Sequence, residues 1–178
     1  MRICNGTQSV PSKNSYHWYS YLCCMKLSKY VSLAEVTRSD TAKRKGISND
    51  PTPEHLENLK VISEEVFDKV REYFGVPLFI SSGYRSAALN KAIGGSATSD
   101  HNNGRALDLD QDGHGNGVTN ADVFKFIKDN LEFDQLIWEF GTDKNPDWVH
   151  VGYRKGANRK QMLKAVKEGG KTKYVPYK

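Results

Sequence analysis

The chain has 178 residues, 38% of them hydrophobic and 26% charged, with a formal net charge of +5. That length buries one domain's core, the composition is ordinary for a globular protein, and no apolar run reaches the roughly 18 residues of a membrane span. The basic residues collect at the two ends, with four in the first 34 residues and nine from Arg154 to Lys178, while the middle is net acidic. This partition argues against nucleic acid as the partner, because the residues able to do chemistry sit in the acidic middle.

Residues 1–24 hold all three cysteines (Cys4, Cys23 and Cys24), show no clean hydrophobic period, and lack the basic-then-apolar layout of a secretory signal. They read as a disordered or non-native extension, with Met25 as an alternative start and residues 25–178 as the working domain. A core without cysteine does not depend on disulfides.

From Ser32 the local signals become regular. Ser32 with Glu35 forms a capping box that opens a short helix. Thr52-Pro53-Glu54 supplies an N-cap, a first-turn proline and an acid suited to the helix dipole. Leu56, Leu59, Ile62, Val66, Val70 and Phe74 then recur at helical spacing as far as Gly75, which predicts one long amphipathic helix. Pro77–Ser82 reads as a strand, Ser86–Ile93 as a short helix, and Ala106–Asp110 as a strand with Leu107 and Leu109 on one face and Asp108 on the other. Thr119-Asn120 leads a further helix. Phe133–Phe140 and Trp148–Tyr153 read as strands, Asn158–Val166 as a basic helix, and the remainder as an extended tail. Helices and strands mix without regular βαβ alternation, so the predicted class is α+β, a small central antiparallel sheet with flanking helices.

The chemistry concentrates in Ser99-Asp100-His101-Asn102-Asn103-Gly104-Arg105-Ala106-Leu107-Asp108 and Asp147-Trp148-Val149-His150. A catalytic zinc site takes three protein ligands and leaves a fourth position open. It also needs an unliganded carboxylate to take a proton from water. His101, Asp108 and His150 supply the three ligands if their strands are neighbours, and Asp147 supplies the carboxylate. Its parity along the strand is wrong, which requires a bend at Pro146. Glu139, in Ile137-Trp138-Glu139-Phe140, is the rival base. Arg85, after a strand and a glycine turn, is placed to hold a substrate carboxylate or a developing oxyanion. His17, His55 and His114 read as ordinary surface or hydrogen-bonded histidines. Asp108-Leu109-Asp110-Gln111-Asp112-Gly113 imitates the start of a calcium loop, but the twelfth position is Thr119 where a glutamate belongs.

The order Ser-Gly-Tyr-Arg (82–85), Ser-x-His-x-x-Gly-x-Ala-x-Asp (99–108) and Asp-x-x-His (147–150) resembles the zinc D-alanyl-D-alanine carboxypeptidases. That group includes vancomycin-resistance dipeptidases and phage endolysins, and shares its fold with the Hedgehog signalling domain. Leu33-Ala34-Glu35-x-Thr37-Arg38-Ser39-Asp40 and Asp134–Gly141 are most similar to its small phage- or prophage-type members. The resemblance spans about Leu27 to Tyr174. It implies one zinc per chain on His101, Asp108 and His150, Asp147 as general base, Arg85 at the reacting carbonyl, and Ser99 supporting the metal loop. It also implies peptidoglycan stem peptides as substrate, the bacterial wall as the place of action, and a monomer without membrane insertion. The alternative is a non-catalytic zinc-stabilised module that binds cell wall or serves in a phage tail.

Overall fold

In a computed structural model, residues 25–178 are described; the expectations for residues 1–24 and for His17 lie outside them. Helix α1 (Leu33–Thr37) starts at Ser32, whose hydroxyl accepts from the Glu35 amide as the capping box predicts. A second short helix, α2 (Asp40–Lys45), follows at once, capped by Ser39 and stopped by left-handed Gly46. The predicted long helix runs from the Thr52 cap to Gly75 in three pieces: α3 (Pro53–Ile62), a π turn over Ser63–Phe67, and α4 (Asp68–Phe74). At the π turn the buried Ser63 hydroxyl donates to the Leu59 carbonyl at 2.7 Å, a side-chain competitor for a backbone acceptor.

The remaining elements are β1 (Ile80–Ser82), α5 (Ala87–Ala92), a 3-10 turn at Asp100–Asn103, β2 (Ala106–Leu109), α6 (Asn120–Asn130), β3 (Gln135–Glu139), β4 (Trp148–Gly152), β5 (Gln161–Glu168) and β6 (Lys171–Pro176). The strands form one sheet in the order β1-β2-β4-β3-β5-β6. The α+β class with flanking helices holds; neighbouring strands are antiparallel except β3 and β5, which run parallel.

Two residues of period divide the sheet between a core and a site. Leu107, Leu109, Leu136, Trp138, Val149 and Val151 share one face and pack with Leu59, Ile62, Val66 and Val70 of the long helix and Val123, Phe124 and Ile127 of α6. The opposite face is organised in rows by register. One row runs Asp108–His150–Ile137–Leu163–Pro176, and the next runs Trp148–Glu139–Ala165–Tyr174.

The predicted helix at Asn158–Val166 is a strand. Its apolar residues Met162, Leu163, Ala165 and Val166 fit either period in so short a run. What decides is the free edge of β3, which β5 covers in parallel from Gln161 to Ala165, and the Gly169-Gly170 turn, both residues at positive φ, which folds β6 back onto β5. The expected extended tail is that last strand.

Two glycines set how closely the helices approach the site. A Cβ at Gly104, which has φ +67°, would meet the His55 carbonyl oxygen of α3 at 2.6 Å. A Cβ at Gly83 would lie 2.6 Å from the Val36 carbonyl oxygen and 2.7 Å from its Cβ. Backbone on both sides leaves no soft neighbour to give way. Gly83→Ala therefore lowers unfolding stability by about 1–3 kcal/mol, measured by chemical denaturation; wild-type stability in this variant would contradict the close packing of α1 on β1.

Candidate metal centre and its cleft

Three segments bring the predicted ligands together. Asp108 and His150 are register partners on adjacent strands, so their side chains leave the sheet on the same side. His101 arrives from the 3-10 turn, which Gly104 closes with amide bonds to Asp100 and His101. The turn is docked on the loop after β1 by the Arg85 amide, which donates to the His101 carbonyl at 3.2 Å.

The donor atoms form a small triangle. His101 Nε2 lies 3.1 Å from Asp108 Oδ1 and 3.2 Å from His150 Nδ1, and His150 Nδ1 lies 2.8 Å from Asp108 Oδ1. Donors on a tetrahedral ion with bonds near 2.0–2.1 Å are about 3.3 Å apart, so the triangle is close to ligand spacing. All three residues are buried, at 2%, 7% and 9% exposure.

Proton counting points the same way. His101 Nδ1 is 2.6 Å from the Gly83 carbonyl oxygen, an acceptor only, so the proton of the neutral ring belongs on Nδ1 and Nε2 keeps its lone pair. Burial lowers the His101 pKa despite the nearby Asp108, which favours that neutral ring. Burial opposes ionisation of Asp108 too, but His101 and His150 outweigh it and hold the carboxyl far below its usual range. The His101 lone pair and the Asp108 carboxylate oxygen thus converge with His150 Nδ1, at 3.2 and 2.8 Å from it. A divalent cation satisfies all three, and the donor set fits one.

Asp108 is fixed from its other side. Arg85 Nη2 donates to Asp108 Oδ2 at 2.7 Å while its Nε donates to Ser82 Oγ at 3.1 Å. The arginine predicted for the substrate is therefore first a support for the metal ligand, with its side chain 18% exposed toward the cleft. Ser99 also borders the cleft; it supports the turn through its carbonyl, which accepts from the Asn102 amide, rather than through its hydroxyl.

Asp147 is not brought to this face. It lies just ahead of β4, its side chain is exposed, and it does not border the cleft. Its backbone is tied down instead: its amide donates to the Glu139 carbonyl and its carbonyl accepts from Asn120 at the start of α6. Glu139, the rival base, does border the cleft. It lies on the metal face, one row from His150, and is 5% exposed. Among the described residues its carboxylate has no hydrogen-bond donor. Burial pushes its pKa up to about 7, against the pull of His150.

The cleft encloses about 730 Å³ above the cluster, within the range of ligand sites. One wall is an ion network absent from the sequence reading. Arg154 donates to Asp100 and Asp134, and Arg159 donates to Asp134 three times, once from its amide and twice from its side chain; Asp134 is fully buried, and its pKa is lowered chiefly by its side-chain bond to Arg159. Asp100 adjoins His101, so the network braces the metal turn against the sheet. The other wall is the β5–β6 hairpin, with Gln161, Leu163, Lys167, Thr172 and Tyr174. Gly169-Gly170, both at positive φ, is the sequence signal that marks its turn.

The other histidines keep their plain roles. His55 completes the α3 capping box and bonds the Tyr84 hydroxyl at 3.1 Å, and His114 stacks on Phe79. The calcium-like aspartates diverge: Asp110 accepts from Asn120 and the Asp112 amide, while Asp112 accepts from Asn145. Among the described residues, His101, Asp108 and His150 form the one group of three metal-binding side chains that converges.

No curated protein matches the chain. The family described as Peptidase M15 matches residues 29–152, a span that runs from before α1 to the end of β4 and contains all three clustered residues, Arg85 and Glu139. With well over half of its length inside that match, the chain belongs to the Peptidase M15 family.

Proposed function

We propose that this protein is a zinc peptidase that hydrolyses D-residue-containing bonds in the stem peptides of bacterial peptidoglycan, as a D-Ala-D-Ala carboxypeptidase or an L-Ala-D-Glu-type endopeptidase. The observation that carries this reading is the buried His101–Asp108–His150 triangle opening into a cleft beside an unpartnered Glu139. Family membership supplies the peptidase chemistry.

His101, Asp108 and His150 hold the ion. Zinc there supplies a Lewis acid that polarises a peptide carbonyl and acidifies water. Glu139 takes the role that the sequence suggested for Asp147. From the neighbouring row it accepts the proton of the attacking water and returns it to the leaving amine. A buried carboxylate that borders the cleft is in place for both transfers. Arg85 locks Asp108 in its ligating orientation, and its remaining N–H groups are available to the oxyanion that forms on the carbonyl. The ion network at Asp100, Arg154, Asp134 and Arg159 keeps the His101 turn from shifting. A purely structural metal site normally closes all four positions with protein ligands and has no use for a buried, unpaired glutamate at its side.

Three outcomes are expected. In Glu139→Gln, hydrolysis of purified peptidoglycan, followed by mass analysis of released fragments, falls by about 10²–10⁴-fold with zinc still bound, while Asp147→Asn stays within about threefold of wild type. The reverse pattern would return the base to Asp147. In His150→Ala, both hydrolysis and stoichiometric zinc are lost, as read by metal analysis after dialysis.

The third outcome concerns pH. The folded protein holds the Glu139 proton up to about pH 7, whereas the unfolded chain releases it near 4.5. This group's contribution to stability therefore declines as pH rises through that window. In the metal-free protein, Glu139→Gln gains stability relative to wild type between about pH 5 and about pH 8, measured by urea unfolding. An unchanged difference would mean that the carboxyl titrates as an ordinary surface acid.

A further inference from the structure

The cationic side chains around the cleft are not equivalent. Arg85 is committed to Asp108, Arg154 to Asp100 and Asp134, and Arg159 to Asp134. Lys167 has no carboxylate partner among the described residues. Its ammonium donates to the Thr172 hydroxyl at 2.9 Å and lies 4.7 Å from the centre of the Phe140 ring. An ammonium has three donors, so these contacts aim the group while leaving donors for something else.

The support under Lys167 is itself built. Phe140 directly follows Glu139 and takes φ 52°, a left-handed conformation that bulky side chains rarely adopt. That turn places its ring edge-on to Trp148, at 5.4 Å, and beneath the ammonium. Tyr174 is the second notable group. It stands in the Glu139 row, separated from Glu139 only by the small, buried Ala165. Its ring is half exposed, and its hydroxyl is raised in pKa by burial and by the charges of Glu139 and Asp108. Both residues border the cleft, and both belong to the hairpin at 161–176, beyond the residues matched by the family.

We propose that the β5–β6 hairpin is the specificity wall of the cleft: Lys167 binds a carboxylate of an acidic peptide, and Tyr174 packs against that peptide beside the scissile bond. Lys167 lies two residues beyond the Glu139 row and four beyond the metal row. Strand spacing of about 3.3 Å per residue sets the Lys167 row about 13 Å from the metal row, and the bond to its register partner Thr172 keeps the ammonium there, so the bound carboxylate belongs to a residue removed from the scissile bond. The unpaired charge makes the site selective for a free acid over its amide. The inference deepens the peptidase reading and rests on it for the position of the scissile bond.

The test uses the zinc-loaded protein and two synthetic peptides: the stem pentapeptide L-Ala-γ-D-Glu-L-Lys-D-Ala-D-Ala, and the same sequence with its carboxylates amidated. Calorimetric binding to Glu139→Gln protein gives a readout independent of turnover. The free acid binds about tenfold more tightly than the amide, Lys167→Ala removes that preference, and Lys167→Arg restores most of it. In the active protein, Lys167→Ala raises KM for the free acid about tenfold with kcat within twofold. Equal binding of both peptides, or a Lys167→Ala loss that is the same for acid and amide, overturns the inference even if hydrolysis is robust. Discrimination that depends on Lys167 without any hydrolysis by wild type upholds the binding wall and overturns the peptidase reading instead.

Discussion

Asp108 is a carboxylate placed in the middle of a sheet, where an unpaired charge would cost several kcal/mol. Every neighbouring choice answers to it. One of its oxygens faces two imidazole nitrogens, and the other receives the Arg85 guanidinium. Arg85 is held by Ser82, and His101 is held by the Gly83 carbonyl, so the segment after β1 serves both partners at once. That segment is pinned in turn by α1, through the Tyr84 amide on the Val36 carbonyl and the close approach of Gly83. Helix α1, far from the cluster in sequence, therefore sets the orientation of Arg85 and His101 toward Asp108.

The same constraint explains the division of labour across the sheet. The helix-facing side is filled with Leu, Val and aromatic side chains that fix the register of β2, β3 and β4. A one-residue slip of any of these strands would send Asp108, His150 or Glu139 into that core, so the packing that stabilises the fold also enforces the alignment of the site. Rows of the open face then place the His101–Asp108–His150 cluster and Glu139 side by side, with the hairpin wall continuing the same rows outward.

Much of this was legible in residue order because it was local. The Thr52 cap, the helical spacing from Leu56 to Phe74 and the Gly75 stop each act within a few turns, and the helix appeared where they put it. The convergence of His101, Asp108 and His150 was legible because coordination chemistry constrains residue type and spacing strongly. Asp147 and Glu139 show where that legibility ends. Both were in view as bases, and which of them borders the cleft is set by the register of β3 against β4, which long-range packing decides. The C-terminal segment was misread for a related reason. Met162–Val166 is amphipathic at more than one period, and the open edge of β3, distant in sequence, selected the strand. The ion network of Asp100, Arg154, Asp134 and Arg159 spans three separate segments and has no local signature.

Bracing from several directions is what a site needs if its geometry is to survive the arrival of a substrate. Here the turn carrying His101 is tied to the loop after β1, to α3 through Gly104, and to β4's exit through Arg154. The account stands or falls on whether these restraints converge on one ion. Anomalous diffraction from crystals grown with equimolar zinc measures this directly. A single strong peak about 2.0–2.2 Å from His101 Nε2, Asp108 Oδ1 and His150 Nδ1 is the expected result. No peak there, or zinc bound only by other side chains, would contradict it.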